Sequence, residues 1–402
     1  MNCPDPPVAC LIALLRDGDV TEALVATIDW PAIIRCAHEH EVAPLLYRCL
    51  AALPARLQPE PEFMARLHAV YLHGAARNLR VAEELRGILT ALNAAGVPVI
   101  PLKGAHLAFL TYADPAERVM GDLDLLIHPE NARRARGTLS ALGYARFGLQ
   151  HGDFIHNEHF RRPRGTQIEV HWTLGRADVP ALSLDCEAVW TRALPAMMHG
   201  VPTRVLSPVD HLVYLCLHVY YHGFRVGLRR ILDIREIVRV HGDQLDWAAV
   251  RTLSHEWRCR RPVALVLTVV HEWFAIALPV DMVDWITGEG ARDHVALAQQ
   301  VILTTFSAVA LPDCFVRMTG RRGSLQKVRT GFSAIFLPRT ALALRYGIAR
   351  HSPWLPWYYV RRIGDFTARW GGQMLGMRHS LRALSADTAR RSALLDWVDG
   401  QQ

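Results

Sequence analysis

VPVIPLKGAHLAFLTYADPAERVMGDLDLLIH, residues 97–128, decides the fold. Val97, Val99 and Ile100 are β-branched, and the apolar run ends at Leu102-Lys103-Gly104, which reads as a short strand entering a glycine turn. Gly104 permits a tight turn and leaves space where another group can approach. Ala105 to Tyr112 is rich in helix formers, and Asp114-Pro115 closes that helix, because proline disfavours helical geometry in the residue before it. Leu123, Leu125, Leu126 and Ile127 then form an apolar strand interrupted by Asp122 and Asp124. Alternation along a strand points both aspartates to one face. Two carboxylates there repel unless a cation lies between them, and a hard divalent ion such as Mg²⁺ takes oxygen ligands while leaving room for phosphates.

The chain downstream supplies a third carboxylate. His128-Pro129-Glu130 leads into a helix over Asn131 to Leu142, with Gly143 at its exit. Tyr144 to Leu149 and Asp153 to Arg161 read as strands paired across Gln150-His151-Gly152, and Thr166 to Leu174 as a further strand. On that strand Ile168, Val170 and Trp172 face one way, and Gln167, Glu169 and His171 the other.

This pattern resembles the nucleotidyltransferase superfamily that shares the polymerase-β palm, in which a strand, a glycine turn and a helix precede a D-x-D strand. More closely it is similar to a family of uncharacterised bacterial nucleotidyltransferases, in which the turn reads Leu-Lys-Gly, an Arg precedes D-x-D, and a later strand reads I-E-x-H-W. The matching residues are Leu102-Lys103-Gly104, Arg118, Asp122-Leu123-Asp124 and Ile168-Glu169-Val170-His171-Trp172, and the resemblance spans roughly residues 30–245. A Lys-Gly turn also occurs in abortive-infection nucleotidyltransferase toxins. The resemblance implies an α+β fold, with a small mixed sheet and helices forming the palm between helical flanks. It also implies in-line transfer of a nucleoside monophosphate from an NTP, ATP foremost, to an acceptor hydroxyl. Asp122, Asp124 and Glu169 are then the catalytic residues and the ligands of Mg²⁺ or Mn²⁺, with Glu169 completing the metal site or accepting the hydroxyl proton. Lys103 offsets triphosphate charge, Gly104 and the amides after it approach the phosphates, and Arg118 offers a bidentate phosphate contact. His171 joins the nucleotide site.

The flanks read as helices. Val8 to Leu15, Trp30 to Leu53 and Phe63 to Ala95 repeat apolar residues at helical spacing, and Gly96 caps the last of them. Ser207-Pro208 opens another helix, Gly223 and Gly227 interrupt the pattern, and Leu228 to Val240 resumes it. His218 and His222 share a face with His211. In the resembled family a helix pair with H-x-x-x-H recurs beside the palm, which places His218 and His222 at the nucleotide. H-x-x-x-H also suits zinc, but the Glu that follows the first His in zinc proteases is Val219 here. Trp247 to Trp257, Val263 to Leu278 and Val295 to Leu311 continue as an apolar helical bundle.

These readings divide the 402 residues into a helical region at 1–96, the palm at 97–205, a bundle at 206–318 and a C-terminal extension at 319–402. Half of the residues are hydrophobic, enough for a sizeable core. The net charge of +7 is uneven: residues 321–382 carry twelve Arg or Lys against Asp365 alone. Aromatic residues interleave with those cations, a composition that suits an anionic partner, either nucleic acid or a membrane surface. The eight cysteines are scattered without C-x-x-C, which excludes a zinc ribbon or a disulfide framework from the expectations. With no signal peptide and no membrane span read in the sequence, the expected compartment is the cytoplasm. The acceptor stays open among a small molecule, a peptide, a protein and an RNA end. Two other readings of the same residues are a D-x-D glycosyltransferase and a nucleotide-binding or partner-binding module without turnover.

Overall fold

The computed structural model describes residues 6–16, 20–147, 157–175, 182, 184–288, 292–304, 339, 342, 346, 348–349, 351–364 and 385–400. Five helices come first: α1 (Pro6–Leu15), α2 (Glu22–Val25), α3 (Trp30–Glu39), α4 (Ala43–Ala51) and the long α5 (Pro61–Ala94). The apolar repeat over 30–53 is thus two helices. The break falls at His40-Glu41-Val42, where Glu41 takes a left-handed φ of 59°. Gly96 ends α5 in the left-handed conformation expected of it, with φ 66°.

A five-stranded sheet follows, in the order β1-β2-β5-β4-β3, from β1 (Ile100–Pro101), β2 (Asp122–Leu126), β3 (Ala145–Phe147), β4 (Asn157–Arg161) and β5 (Gln167–His171). Two further elements complete this part of the chain: α6 (Lys103–His106) leaves β1 and widens into a π-helical turn over Leu107–Thr111, and α7 (Ala132–Ala141) joins β2 to β3. β2 and β5 run parallel, while β1 pairs antiparallel with β2 and β4 with both β5 and β3. The loop expected at 150–152 lies outside the described residues. One face of the sheet is apolar. Leu123, Leu125, Ile168, Val170 and Phe160 pack there on Leu85, Ile88 and Leu92 of α5 and on Leu139 of α7. Burying side chains of this size contributes about 1.5–3 kcal/mol each, which fixes the strand register, because a slip by one residue would turn Asp122 and Asp124 into that core.

The rest is mainly helical: α8 (Cys186–Arg192), the hairpin β6 (Leu194–Met198) and β7 (Val201–Val205), then α9 (Pro208–Tyr221), α10 (Gly227–His241), α11 (Trp247–Glu256), α12 (Arg260–Phe274), α13 (Val280–Gly288), α14 (Arg292–Leu303) and α15 (Ser385–Asp399). Ser207 caps α9, its hydroxyl accepting from the Asp210 amide, with Pro208 at the first turn. The N-terminal helices share one core with this bundle: Leu11, Ile33 and Leu46 belong to the same cluster as Leu217, Ile231 and Leu265. α15 joins that cluster through Leu394, Leu395 and Val398, and Tyr220 donates a hydrogen bond to Asp399. Among the described residues no helix is long and apolar enough to cross a membrane. Most of the basic segment 321–382, and the boundary expected near 318–324, lie outside the described residues. Within the described part, residues 355–364 are helical and Leu355 packs on Leu342.

Candidate active site

The polar face of the sheet is built by the register of β2 and β5. Asp122 lies opposite Gln167, Asp124 opposite Glu169, and Leu126 opposite His171. Parallel pairing with strict alternation therefore sets Asp124, Glu169 and His171 side by side, as the alternation in the sequence predicts for the first two. β4 adds His159 opposite Glu169. Just before α6, the Leu102 amide donates to the Asp124 carbonyl at 2.9 Å. Lys103 follows with a left-handed φ of 42°, a strained conformation for a residue with a side chain. From there its ammonium donates to Asp124 Oδ1 at 2.7 Å, and His171 Nε2 lies 2.8 Å from the same oxygen.

Charge accumulates here out of water. Burial by itself would raise the Asp124 carboxyl, but Lys103 and His171 hold it far below the usual carboxylate range. Burial likewise pulls the Lys103 ammonium down, and the adjacent Asp124 more than reverses it. Asp122, the first residue of its strand, has no such close partner among the described residues, and the charges of Lys103 and Arg229 only partly offset what raises it. Burial raises its carboxyl, and the charges of Asp124 and Glu169 raise it further. Burial opposes ionisation of Glu169 too, yet His159 keeps it below its ordinary value. Asn157 Nδ2 donates to Glu169 Oε2 at 3.0 Å and Gln167 Nε2 to Oε1 at 3.2 Å, so both oxygens are held in place.

The face opens into a cavity of about 160 Å³ that Asp122, Asp124 and Glu169 line on one side and α9 and α10 close on the other. Lys103 and Gly104 lie at its base, with Met120 so close to Gly104 that a Cβ there would stand 3.1 Å from its Cγ. α6 is only four residues long before it widens, so the expected helix N-terminus is a single turn. His218 and His222 line the opposite wall, their rings 4.5 Å apart and edge to face. His211, two turns back along α9, reaches the buried His106 instead, at 4.2 Å between ring centres. Arg118 lines the cavity, but its guanidinium is engaged: Nε and Nη2 donate to the two oxygens of Asp233 at 2.7 and 2.9 Å, and Nη1 to the Val119 carbonyl.

Of the residues singled out in the sequence, Lys103, Gly104, Arg118, Asp122, Asp124, Glu169, His218 and His222 line this cavity, His171 lies against Asp124, and His211 lies apart on His106. Among the described residues, the group of three ligating side chains whose donor atoms lie within 4.8 Å of one another is Asp124, Glu169 and His171. Asp122, the first residue of its strand, lies outside this group but lines the same cavity. Arg118 is an internal ion pair rather than a free cation. Sequence reasoning missed Arg229 and Arg230, which line the α10 wall. The only signal for them was the pair Arg229-Arg230 directly after Gly227-Leu228, at the start of a helix, where basic residues ordinarily face water. His159 was missed as well, because it lies on a strand whose register the sequence leaves open.

No curated protein matches the chain, and no solved structure does. A family model does, across residues 26–275, well over half of the sequence; it includes both carboxylate strands, the Lys-Gly turn and both histidines of the α9 wall. The protein belongs to the family described as uncharacterised nucleotidyltransferase.

Proposed function

We propose that this protein is a metal-dependent nucleotidyltransferase, which transfers a nucleoside monophosphate from an NTP, ATP foremost, to an acceptor hydroxyl. The observation that carries the reading is the register of β2 and β5, which lines Asp122, Asp124 and Glu169 along one side of a cavity whose other side is basic. The donor set fits a divalent ion. Asp124, Glu169 and His171 form a compact group, buried at Asp124 and His171, and Asp122 adds a further carboxylate to the cavity lining. Mg²⁺ or Mn²⁺ bound there would neutralise charge on the triphosphate and polarise the α-phosphoryl group. In the transfer, the acceptor oxygen bonds to the α-phosphorus while the bond to the pyrophosphate oxygen breaks. In this reading Glu169, whose carboxyl His159 holds below its ordinary value and whose oxygens Asn157 and Gln167 fix, takes the acceptor's proton.

The test is pyrophosphate release from each of the four NTPs with Mg²⁺ or Mn²⁺, using a cell extract as the source of acceptor. Wild type should release pyrophosphate and the Asp122→Asn/Asp124→Asn double variant should not. A specific observation favours a second reading. The Lys103 ammonium already rests on Asp124, so part of the acidic charge is balanced from within the chain. Binding of NTP without pyrophosphate release, alike in the wild type and the double variant, would favour a nucleotide-binding module.

A further inference from the structure

The cavity wall formed by α10 carries two guanidinium groups that the transfer chemistry above does not use. Arg229 and Arg230 stand in the first turn of the helix, half-buried. Burial lowers both, Arg229 to about 10, and the neighbouring Arg118 lowers both again. Their partners differ. Arg229 Nη2 pairs with Glu41 at 2.9 Å, and Nη1 donates to the Val119 carbonyl at 3.3 Å. Arg230 donates to His218 Nε2 at 3.3 Å and to the Val226 carbonyl at 3.1 Å, and no carboxylate of the described residues pairs with it. Glu41, Asp233 and Asp122 act on Arg230 only through space, and a half-buried cation with no carboxylate in contact favours a ligand that brings one negative charge closer. Arg118 cannot supply cationic charge to a ligand, because Asp233 already takes both arms of its fork.

We propose that Arg230, with Arg229 beside it, forms a polyphosphate clamp that holds the two leaving phosphates of the NTP and, after transfer, the pyrophosphate product. Glu41 is the clamp's internal competitor: it occupies Arg229 until a phosphate displaces it. This assignment deepens the transfer reading and rests on it. The polarity of the cavity supports it. Carboxylates on the sheet side and arginines on the helix side suit a ligand that meets a cation at one end and presents bare oxyanions at the other. The size supports it too. About 160 Å³ is below the roughly 300–1,000 Å³ of pockets that enclose a whole small molecule, so the phosphate end fits and the nucleoside stays at the mouth. Arginine's planar fork matches two phosphate oxygens at once, which a lysine cannot do.

The fold holds the clamp in place from a distance. Gly227, at φ 67°, starts α10 against His40, and a Cβ there would lie 3.3 Å from His40 Nδ1. The Arg229 amide donates to the His40 carbonyl at 3.3 Å. The corner between α3 and α4 thus delivers both the support and the competing Glu41.

The experiment is calorimetric titration of inorganic pyrophosphate into the full chain with EDTA present, so that no metal contributes. Arg230→Gln should weaken binding by about tenfold or more, the loss of one charge-assisted contact. Arg230→Lys, which keeps the charge and loses the fork, should fall between. Glu41→Gln should bind more tightly than wild type, and Asp122→Asn/Asp124→Asn at least as tightly. Equal affinity in wild type, Arg230→Gln and Glu41→Gln overturns the clamp. Turnover of NTP by a wild type that does not bind pyrophosphate also overturns the clamp, and leaves the transfer reading standing. Pyrophosphate binding that depends on Arg230 and Glu41 as stated, in a protein that never releases pyrophosphate from NTP, supports the clamp and overturns the transfer reading.

Discussion

At the scale of single residues, Lys103 and Asp124 set the character of the site. Both are largely buried, and Asp124 Oδ1 also meets His171, so one oxygen serves two cationic or hydrogen-bonding partners. Removing one member of a buried pair leaves the other charge uncompensated, at a cost of about 3–5 kcal/mol. Lys103→Met should therefore lower the free energy of unfolding by about that amount in metal-free buffer. Adding Mn²⁺ or Mg²⁺ should restore part of it, because the ion supplies the charge that Asp124 has lost. Thermal unfolding with and without metal checks both halves. A variant as stable as wild type, or one that metal does not rescue, would show that Asp124 does not depend on a cation. The three carboxylates were legible in the sequence, because alternation along two strands fixes the face on which they lie. The role of Lys103 was legible only in part. Its type and place were read, but its contact with Asp124 follows from a left-handed backbone that no sequence pattern announces. Arg229 and Arg230 were legible only as an adjacent basic pair, because their place against the His40-Glu41 corner depends on residues far away in sequence.

Among elements, the junction that matters is between the segment leading into β2 and helix α10. Arg118 lies four residues before Asp122, and its bidentate bond to Asp233 ties that segment to the α10 wall, with the Tyr112 hydroxyl donating to the same carboxylate at 3.0 Å. Asn78 of α5 holds the segment from the other side, donating to the carbonyls of Pro115 and Arg118. The pair therefore sets the distance between carboxylates and arginines across the cavity. Arg118→Leu should destabilise the protein by about 3–5 kcal/mol, because Asp233 stays buried without its cation, and Arg118→Leu/Asp233→Leu should recover most of that loss. Denaturant unfolding of the two variants measures this directly. A residue that served only as a phosphate contact would instead raise KM for NTP and leave the unfolding midpoint unchanged. The strongly periodic helices and the D-x-D strand were readable because each has one buried face. The β6–β7 hairpin was not. Leu194 and Met197 are exposed on it, so its apolar residues do not alternate, and its turn depends on left-handed His199 and Gly200.

For the whole molecule, the layers are joined through histidines that are buried in the neutral form. His40 sits under the start of α10, and His106 of α6 faces His211 of α9. Burial lowers His40 and His106 to about 4 and takes His211 well below its ordinary value. His241 opposes the charging of His106, and His106 and His241 oppose that of His211. The sign follows from linkage. The unfolded chain binds protons at these residues near pH 6.5, whereas the folded chain does not until about pH 4, so stability is complete above the unfolded value and falls as pH drops through the window between them. Each such histidine contributes a slope of up to about 1.4 kcal/mol per pH unit. The carboxylates held down by their partners, Asp124 above all, add their loss only at still lower pH. Urea unfolding between about pH 7 and about pH 5 should show the decline before any of those carboxylates is protonated. His211→Leu should flatten it at little cost near neutrality, because among the described residues neither ring nitrogen of His211 has a hydrogen-bond partner to lose. An unchanged slope in that variant would place the acid sensitivity elsewhere. A flattened slope would show that the contact between α6 and α9, which carries Lys103 on one side and His218 on the other, is kept together by keeping its histidines uncharged.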